Sequence, residues 1–399
     1  MGINLKSGRR MLVLTLLLTA ATAVAGVSAA SAKTLYVSKT GRNHGSACTK
    51  RKPCKTINAA IGKAHSGDLV QVAKGSYTED VTLTKKLDLV GIGRPTIQAV
   101  NLANGIFING AAASGSRVSD FLVENALDEG ILAMKTAHVT IANNIVKFND
   151  KGAASPTPTG ECKAQGQVPG DCGEGIHLMT VANAMVLNNT VTGNTGGILL
   201  SDEFGPTDAN TVSGNQVLNN VLDCGITVVG HNTNAVSSTG LPQPSQAGVY
   251  GNRIHNNTAN GNGTKGQGGG ILLAAGAPGS GVYNNTVDGN TANNNGLGGL
   301  TLHSHAPNQD LNGNKIVNNT FSHDGLNGYP NGAAGDSDAG ITQTFGIDLF
   351  SAVGKLTGLV VTGNHLSNEY YGIWTKNVPT IPLSSNTFDS SVTVDEFQS

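Results

Sequence analysis

An all-β chain wound as a parallel β-helix is what this sequence predicts, on three observations. First, a phrase recurs: Gly followed by Ile or Leu, alternating residues, a loop, then Asn-rich text with another short apolar run. The Gly-Ile/Leu openings begin at residues 105, 130, 175, 197, 225, 270, 299, 346 and 372, and their shortest intervals are 22, 25, 26, 28 and 29 residues. Self-similarity at that spacing marks a solenoid of about ten coils. Second, the apolar pieces are short, rich in Val and Ile, and alternate with period two, which is strand and not helix. Third, Asn phrases recur at 143–146, 188–191, 215–218, 284–287, 314–317 and 364–367. Asn tolerates the left-handed backbone of a tight corner, and stacked amides can bond as a ladder.

Composition narrows the classes. Charged residues are 13% of the chain, about half of the ~25% usual in soluble domains. The formal net charge is −1 and no run of Lys or Arg persists past the opening segments, which argues against nucleic acid. A propeller would carry more aromatics than 4%, and the L-x-x-L-x-L phrase of leucine-rich repeats is missing.

The elements follow in chain order. Lys6, Arg9 and Arg10 precede an apolar run from Met11 to Val24, and "SAASA" ends in a small-x-small site. Residues 1–32 read as a signal peptide cleaved after Ala32. The run is short of the ~20 residues a membrane span requires. The mature chain is expected to be secreted, or periplasmic where the host has an outer membrane, with no transmembrane segment. Five cysteines fit an oxidising compartment. Cys48 with Cys54, and Cys162 with Cys172, are expected to pair locally. Cys224 is then a buried, inert thiol. Ile57, Ala60, Ile61 and Ala64 fall at i, i+3, i+4 and i+7, one face of a short helix that caps the open end of the solenoid. Residues 33–98 form this cap and the first coils, and 99–399 the repeats with loop insertions, in one continuous domain 33–399.

The opening carries a resemblance. Tyr36-Val37-Ser38, Gly41, Pro53, Thr56-Ile57, Gly67-Asp68, Val70, Gly75 and Tyr77 resemble the start of secreted right-handed parallel β-helix proteins of the pectate-lyase-like superfamily. The match covers residues 34 to 98; the remainder is similar only in repeat style. The resemblance implies right-handedness. It implies no single activity, because the superfamily hosts lyases, hydrolases, epimerases and non-catalytic surface proteins. The Asp-Asp and Gly-His-Gly of polygalacturonases, the Asp-Pro-His-Asp of alginate epimerases and the Gly-Gly-x-Gly-x-Asp calcium repeat are absent.

Counting from the repeated Gly, positions +1 and +3 point inward, so +2 and +4 point out. His177, Asp348 and Trp374 fall at +2, His303 and Lys376 at +4, and Glu203, His231 and His305 at +6. Insertions flank this strand and predict a groove suited to an extended polysaccharide or cell-surface glycan. His177, His303, His305, Asp348, Trp374 and Lys376 are its candidate binding residues. His177, His303 and His305 are also a candidate transition-metal set. Asp202, Glu203, Asp223 and His231 are the candidate acid/base set, on adjacent coils about 4.8 Å apart. Hydrolysis needs a carboxylate pair. A lyase needs a base such as His231 and a charge for the uronate carboxyl, supplied by a divalent metal such as calcium if no side chain does so. The alternative is a non-catalytic surface or binding β-helix in which the same loops recognise a glycan or a partner; a self-associating structural spacer would instead have loops that cover the groove. Oligomeric state is left open.

Overall fold

The structure, a computed structural model, describes residues 1–2, 32–149, 172–304, 306–328, 341–351, 356–378, 382 and 384–398. Met1–Ala32 and Lys33–Ser399 are separate compact units. Almost all of the expected signal segment lies outside the described residues. Among the described residues no helix is long and apolar enough to cross a membrane.

Lys33–Ser399 is a right-handed parallel β-helix. Three parallel sheets of eleven, fourteen and eleven strands run its length. The larger sheet carries three extra two-residue strands, Thr207–Asp208, Val249–Tyr250 and Val282–Tyr283. Among the described residues each sheet therefore has eleven rungs, one more than the repeat count suggests. The Gly-Ile/Leu strands stack in the expected register: Ile176 pairs with Ile198, Ile198 with Ile226, Ile226 with Ile271, and Ile271 with Leu300. Inward residues at +1 and +3, from Ile131 and Ala133 to Ile347 and Leu349, are sealed from solvent in one continuous core. The opening Gly is needed because a Cβ at Gly130 would lie 2.6 Å from the Gly175 carbonyl oxygen of the next coil.

The Asn corners divide two tasks between neighbouring residues. Asn143, Asn188, Gly214, Asn256, Gly289, Asn318 and Gly363 take positive φ. The residue after each is a buried ladder Asn. From Asn144 through Asn189, Asn215, Asn257, Asn290, Asn319 and Asn364 to Asn386, each Oδ1 accepts the backbone and side-chain N–H of its counterpart one coil earlier, at 2.9–3.1 Å. A second ladder runs Asn149, Asn194, Asn220, Asn262, Asn295 and then changes to Asp324 and Glu369. Asn210, Asn252, Asn285 and Asn314 form a third. These amides satisfy backbone groups that the corners would otherwise bury unpaired.

The capping helix is Ile57–Lys63. Thr56 caps it by accepting from the Ala59 N–H, and Glu79 accepts from the N–H groups of Ile57 and Asn58. Its buried face is Ile57, Ala60 and Ile61, as the periodicity predicts. Cys48 and Cys54 form the expected disulfide. Cys172 is disulfide-bonded, while Cys162 lies outside the described residues.

Candidate functional site: a carboxylate–imidazole chain on the outer sheet face

The outward face of the fourteen-stranded sheet is mostly covered. His177, Leu199, Ser201 and Asp348 are sealed, and Leu199, Val229 and Ala274 form a small outer apolar cluster. His303, Trp374 and Lys376 keep partial exposure. An open floor along the whole axis is therefore not what the strand alternation produces.

Instead, one hydrogen-bonded chain crosses four coils. Glu129 lies one residue before the Gly that opens Ile131–Ala137, and Glu174 begins Glu174–Ala182 at the equivalent position. His177, two residues past its Gly, contacts Glu129 Oε1 through Nδ1 at 3.2 Å and Ser201 Oγ through Nε2 at 2.7 Å. Ser201 ends Gly196–Ser201 and donates its hydroxyl to Glu203 Oε2 at 2.6 Å. Glu203 Oε1 meets His231 Nδ1 at 3.0 Å. His231 follows directly on Ile226–Gly230. The far end is closed, with Glu129 and His177 fully buried. The near end is open: the His231 side chain is 13% exposed.

Burial pushes the Glu203 carboxyl up, but the His231 hydrogen bond, the charges of His177 and His231 and the Ser201 hydroxyl outweigh it and hold the group below its ordinary range. Glu203 is an anion beside an imidazole.

Of the four expected acid/base residues, Glu203 and His231 converge. Asp202 is beside them but turned to backbone. Its Oδ1 accepts the N–H groups of His231 at 2.7 Å and Asn232 at 3.0 Å, and its Oδ2 that of Gly248 at 2.7 Å. It fastens both ends of the 231–248 loop. Burial, only partly offset by those three donors, raises its carboxyl to about 6. Asp223 caps the Cys224 N–H at 2.7 Å. Its Cβ would lie 3.4 Å from one built on Gly196, at the beginning of the strand that ends in Ser201, so it is at the wrong end of the rung. Cys224 is buried, as expected, and free, and burial first, then Asp223, pushes its thiol well up.

The remaining candidates are spread down the axis. His303, Asp348 and Trp374 stand three, four and five rungs beyond Ser201, or about 14–24 Å at the usual strand spacing. His177 and His303 are four rungs apart, roughly 19 Å, and cannot share a metal ion. His305 lies outside the described residues. Trp374 packs on Tyr371 and Phe397, with ring centroids at 4.8 and 4.5 Å, and closes the last coils. The Lys376 ammonium is 5.8 Å from the Phe350 ring centroid. Asp348 is buried in register between Thr301 and Trp374.

Sequence reasoning passed over Glu129, Glu174 and Ser201, although "EGI" occurs at both 129–131 and 174–176. Ligand atoms of Glu129, Glu174 and His177 lie within 4.8 Å of one another. It also passed over Phe204, a residue 44% exposed beside Glu203, and Lys135, whose ammonium sits 3.6 Å from the centroid of that ring.

No curated protein matches this sequence. Among solved structures, the chain is similar to the pectate lyase Pel9A, with 16% identity, 91% of this chain and 81% of that one covered, and a TM-score of 0.54. An alginate lyase from Paenibacillus sp. str. FPU-7 aligns at 11% identity over 92% and 98% of the two chains, TM-score 0.50. The Dettilon tailspike protein aligns at 13% over 92% and 68%, TM-score 0.52. At such identities these likenesses establish the fold alone. The model of a protein family described as periplasmic copper-binding protein (NosD) matches residues 28–236, more than half of the sequence, and the chain belongs to that family.

Proposed function

We propose that the protein is an exported β-helix that acts on an acidic polysaccharide, with His231 as general base. The observation that carries this reading is the 3.0 Å His231–Glu203 contact at the solvent end of the buried chain. An ionised Glu203 makes Nδ1 the protonated ring nitrogen, so Nε2 is the one that accepts a proton. Two-carboxylate hydrolysis draws less support, because Asp202 serves three backbone N–H groups and Asp223 is at the other end of the rung. A single imidazole base suits β-elimination better than it suits two-carboxylate hydrolysis. Nε2 takes the proton beside the uronate carboxylate, and that electron pair becomes the ring double bond. The bond to the glycosidic oxygen breaks, the departing oxygen takes a proton from water, and His231 returns its proton to the hydroxide left behind. Phe204, the residue after Glu203, offers an apolar surface for a sugar ring, and Lys135, above that ring, can meet the carboxylate of a uronate stacked there.

The family's description names copper, and the donors here do not fit it. The three-residue cluster among the described residues offers two hard carboxylates and one imidazole, both of whose nitrogens already serve Glu129 and Ser201. Cys224 is held protonated, and Cys48, Cys54 and Cys172 are in disulfides. Copper sites favour thiolate, thioether and several imidazoles.

The test is the ultraviolet absorbance of the new double bond over a panel of uronic polysaccharides. His231→Ala and Glu203→Ala should each lose ~10²–10⁴-fold in rate. Reducing ends without absorbance would replace elimination by hydrolysis. Silence from the folded wild type would favour the second reading, a glycan-binding surface protein. One observation favours that reading: Glu129, His177 and Ser201 are closed to solvent and bonded to one another.

A further inference from the structure

Charge is segregated along the chain. All 26 Asp and Glu residues lie after Gly67, whereas residues 33–67 hold eight Lys or Arg and no acid. Ordinary surfaces intersperse the two signs. The fold gathers part of this excess around a cavity of about 370 Å³ at the N-terminal cap, lined by Arg42, His44, Arg51 and Lys52 together with Gly41 and Ser46. The four basic side chains are exposed, and among the described residues none is in an ion pair.

The walls are fixed without using those charges. The Cys48–Cys54 disulfide closes the loop that carries Arg51 and Lys52. Ser46 Oγ donates to the Lys52 carbonyl at 2.6 Å and accepts the Cys48 N–H at 3.0 Å. The Arg42 N–H reaches the Pro53 carbonyl at 3.1 Å. Lys63 spends its ammonium on the carbonyls of Asn43 and Ser46. Cations held apart from any carboxylate, on a pinned loop, repel one another. Such a site is relieved by an anion that reaches both walls, and guanidinium forks match phosphate oxygens.

We propose that this cavity binds a multiply charged phosphate group, either free or borne on a lipid headgroup. The site is distinct from the His231 chain and independent of any catalysis there. Calorimetric titration of the full chain with pyrophosphate at low ionic strength is expected to give one saturable site that weakens with added salt. Arg51→Glu with Lys52→Glu changes two exposed side chains and should weaken binding at least about tenfold, while Lys265→Glu with Lys315→Glu, a control of equal charge elsewhere, leaves it intact. Co-sedimentation with phosphatidylcholine vesicles, with and without phosphatidic acid, separates the sources. Capture by phosphatidic acid that pyrophosphate competes away, and that the cap variant loses, identifies a headgroup; pyrophosphate binding without such capture identifies a free anion. The apolar N-terminal run is common to all variants, so their differences report the cap. Absence of saturable pyrophosphate binding, or equal loss in the cap variant and the control, overturns the proposal. Arg42→Ala gives a second measurement if the double variant alters melting.

Discussion

Asp202 illustrates how a residue that looks catalytic is used for structure. Its three accepted N–H groups tie His231, Asn232 and Gly248 to one carboxylate. Asp202→Ala should therefore cost about 3 kcal/mol and raise hydrogen exchange at those amides before any global unfolding. Unchanged exchange there would refute the fastening role. Its raised carboxyl also sets a direction. Between the ordinary 3.8 and about 6 the folded chain keeps a proton that the unfolded chain releases, so this group's contribution falls as pH rises through that window. Register was enough to pair Glu203 with His231 from the sequence, since both fall at +6. It could not show that Asp202 turns to the backbone, because the alternation of a strand stops deciding side-chain direction where a loop begins. Nor could it link Glu129 to His177 on the adjacent coil, because the two occupy different positions relative to the repeated Gly, one before it and two after it.

The ladders are the element whose chemistry was most legible, and the one with an irregularity worth testing. Where the second ladder reaches Asp324 and Glu369, carboxyls replace amides. Burial, and then Glu369, pushes Asp324 well up, and burial raises Glu369 to about 8. Asp324 Oδ2 is buried with no hydrogen-bond partner among the described residues. Between 4.5 and about 8 the unfolded chain has lost a Glu369 proton that the folded chain retains, so stability declines as pH rises across that interval. Glu369→Gln should remove the decline and raise stability at pH 8 by on the order of 4 kcal/mol, read as a higher Tm there and little change at pH 4. A parallel shift at both pH values would contradict a protonated Glu369. Asn repeats marked the corners in the sequence, but the division into one left-handed residue and one ladder residue needed the backbone, because in the first ladder Gly and Asn share the first task while Asn alone performs the second.

At the scale of the molecule, each coil is held mainly by its two neighbours, so an end should loosen without the middle. The strand Thr34–Val37 is tied to the disulfide loop by Tyr36 N–H to the Cys48 carbonyl at 2.6 Å and Cys54 N–H to the Tyr36 carbonyl at 2.9 Å. Reduction of Cys48–Cys54 is expected to raise exchange over 34–54 and leave Ile226–Gly230 protected; uniform loosening would speak for a single cooperative block. The ladders also behave as a ruler that ignores sequence distance. Successive rungs of the first ladder are 45, 26, 42, 33, 29, 45 and 22 residues apart, yet their amides meet at nearly one length. Only the corner positions are templated, so text between corners is free to lengthen, diverge or be exchanged. The scaffold is in that sense a rack of interchangeable cassettes: a loop replaced between two corners, like 231–248, would alter what the face presents while the helix beneath keeps its count.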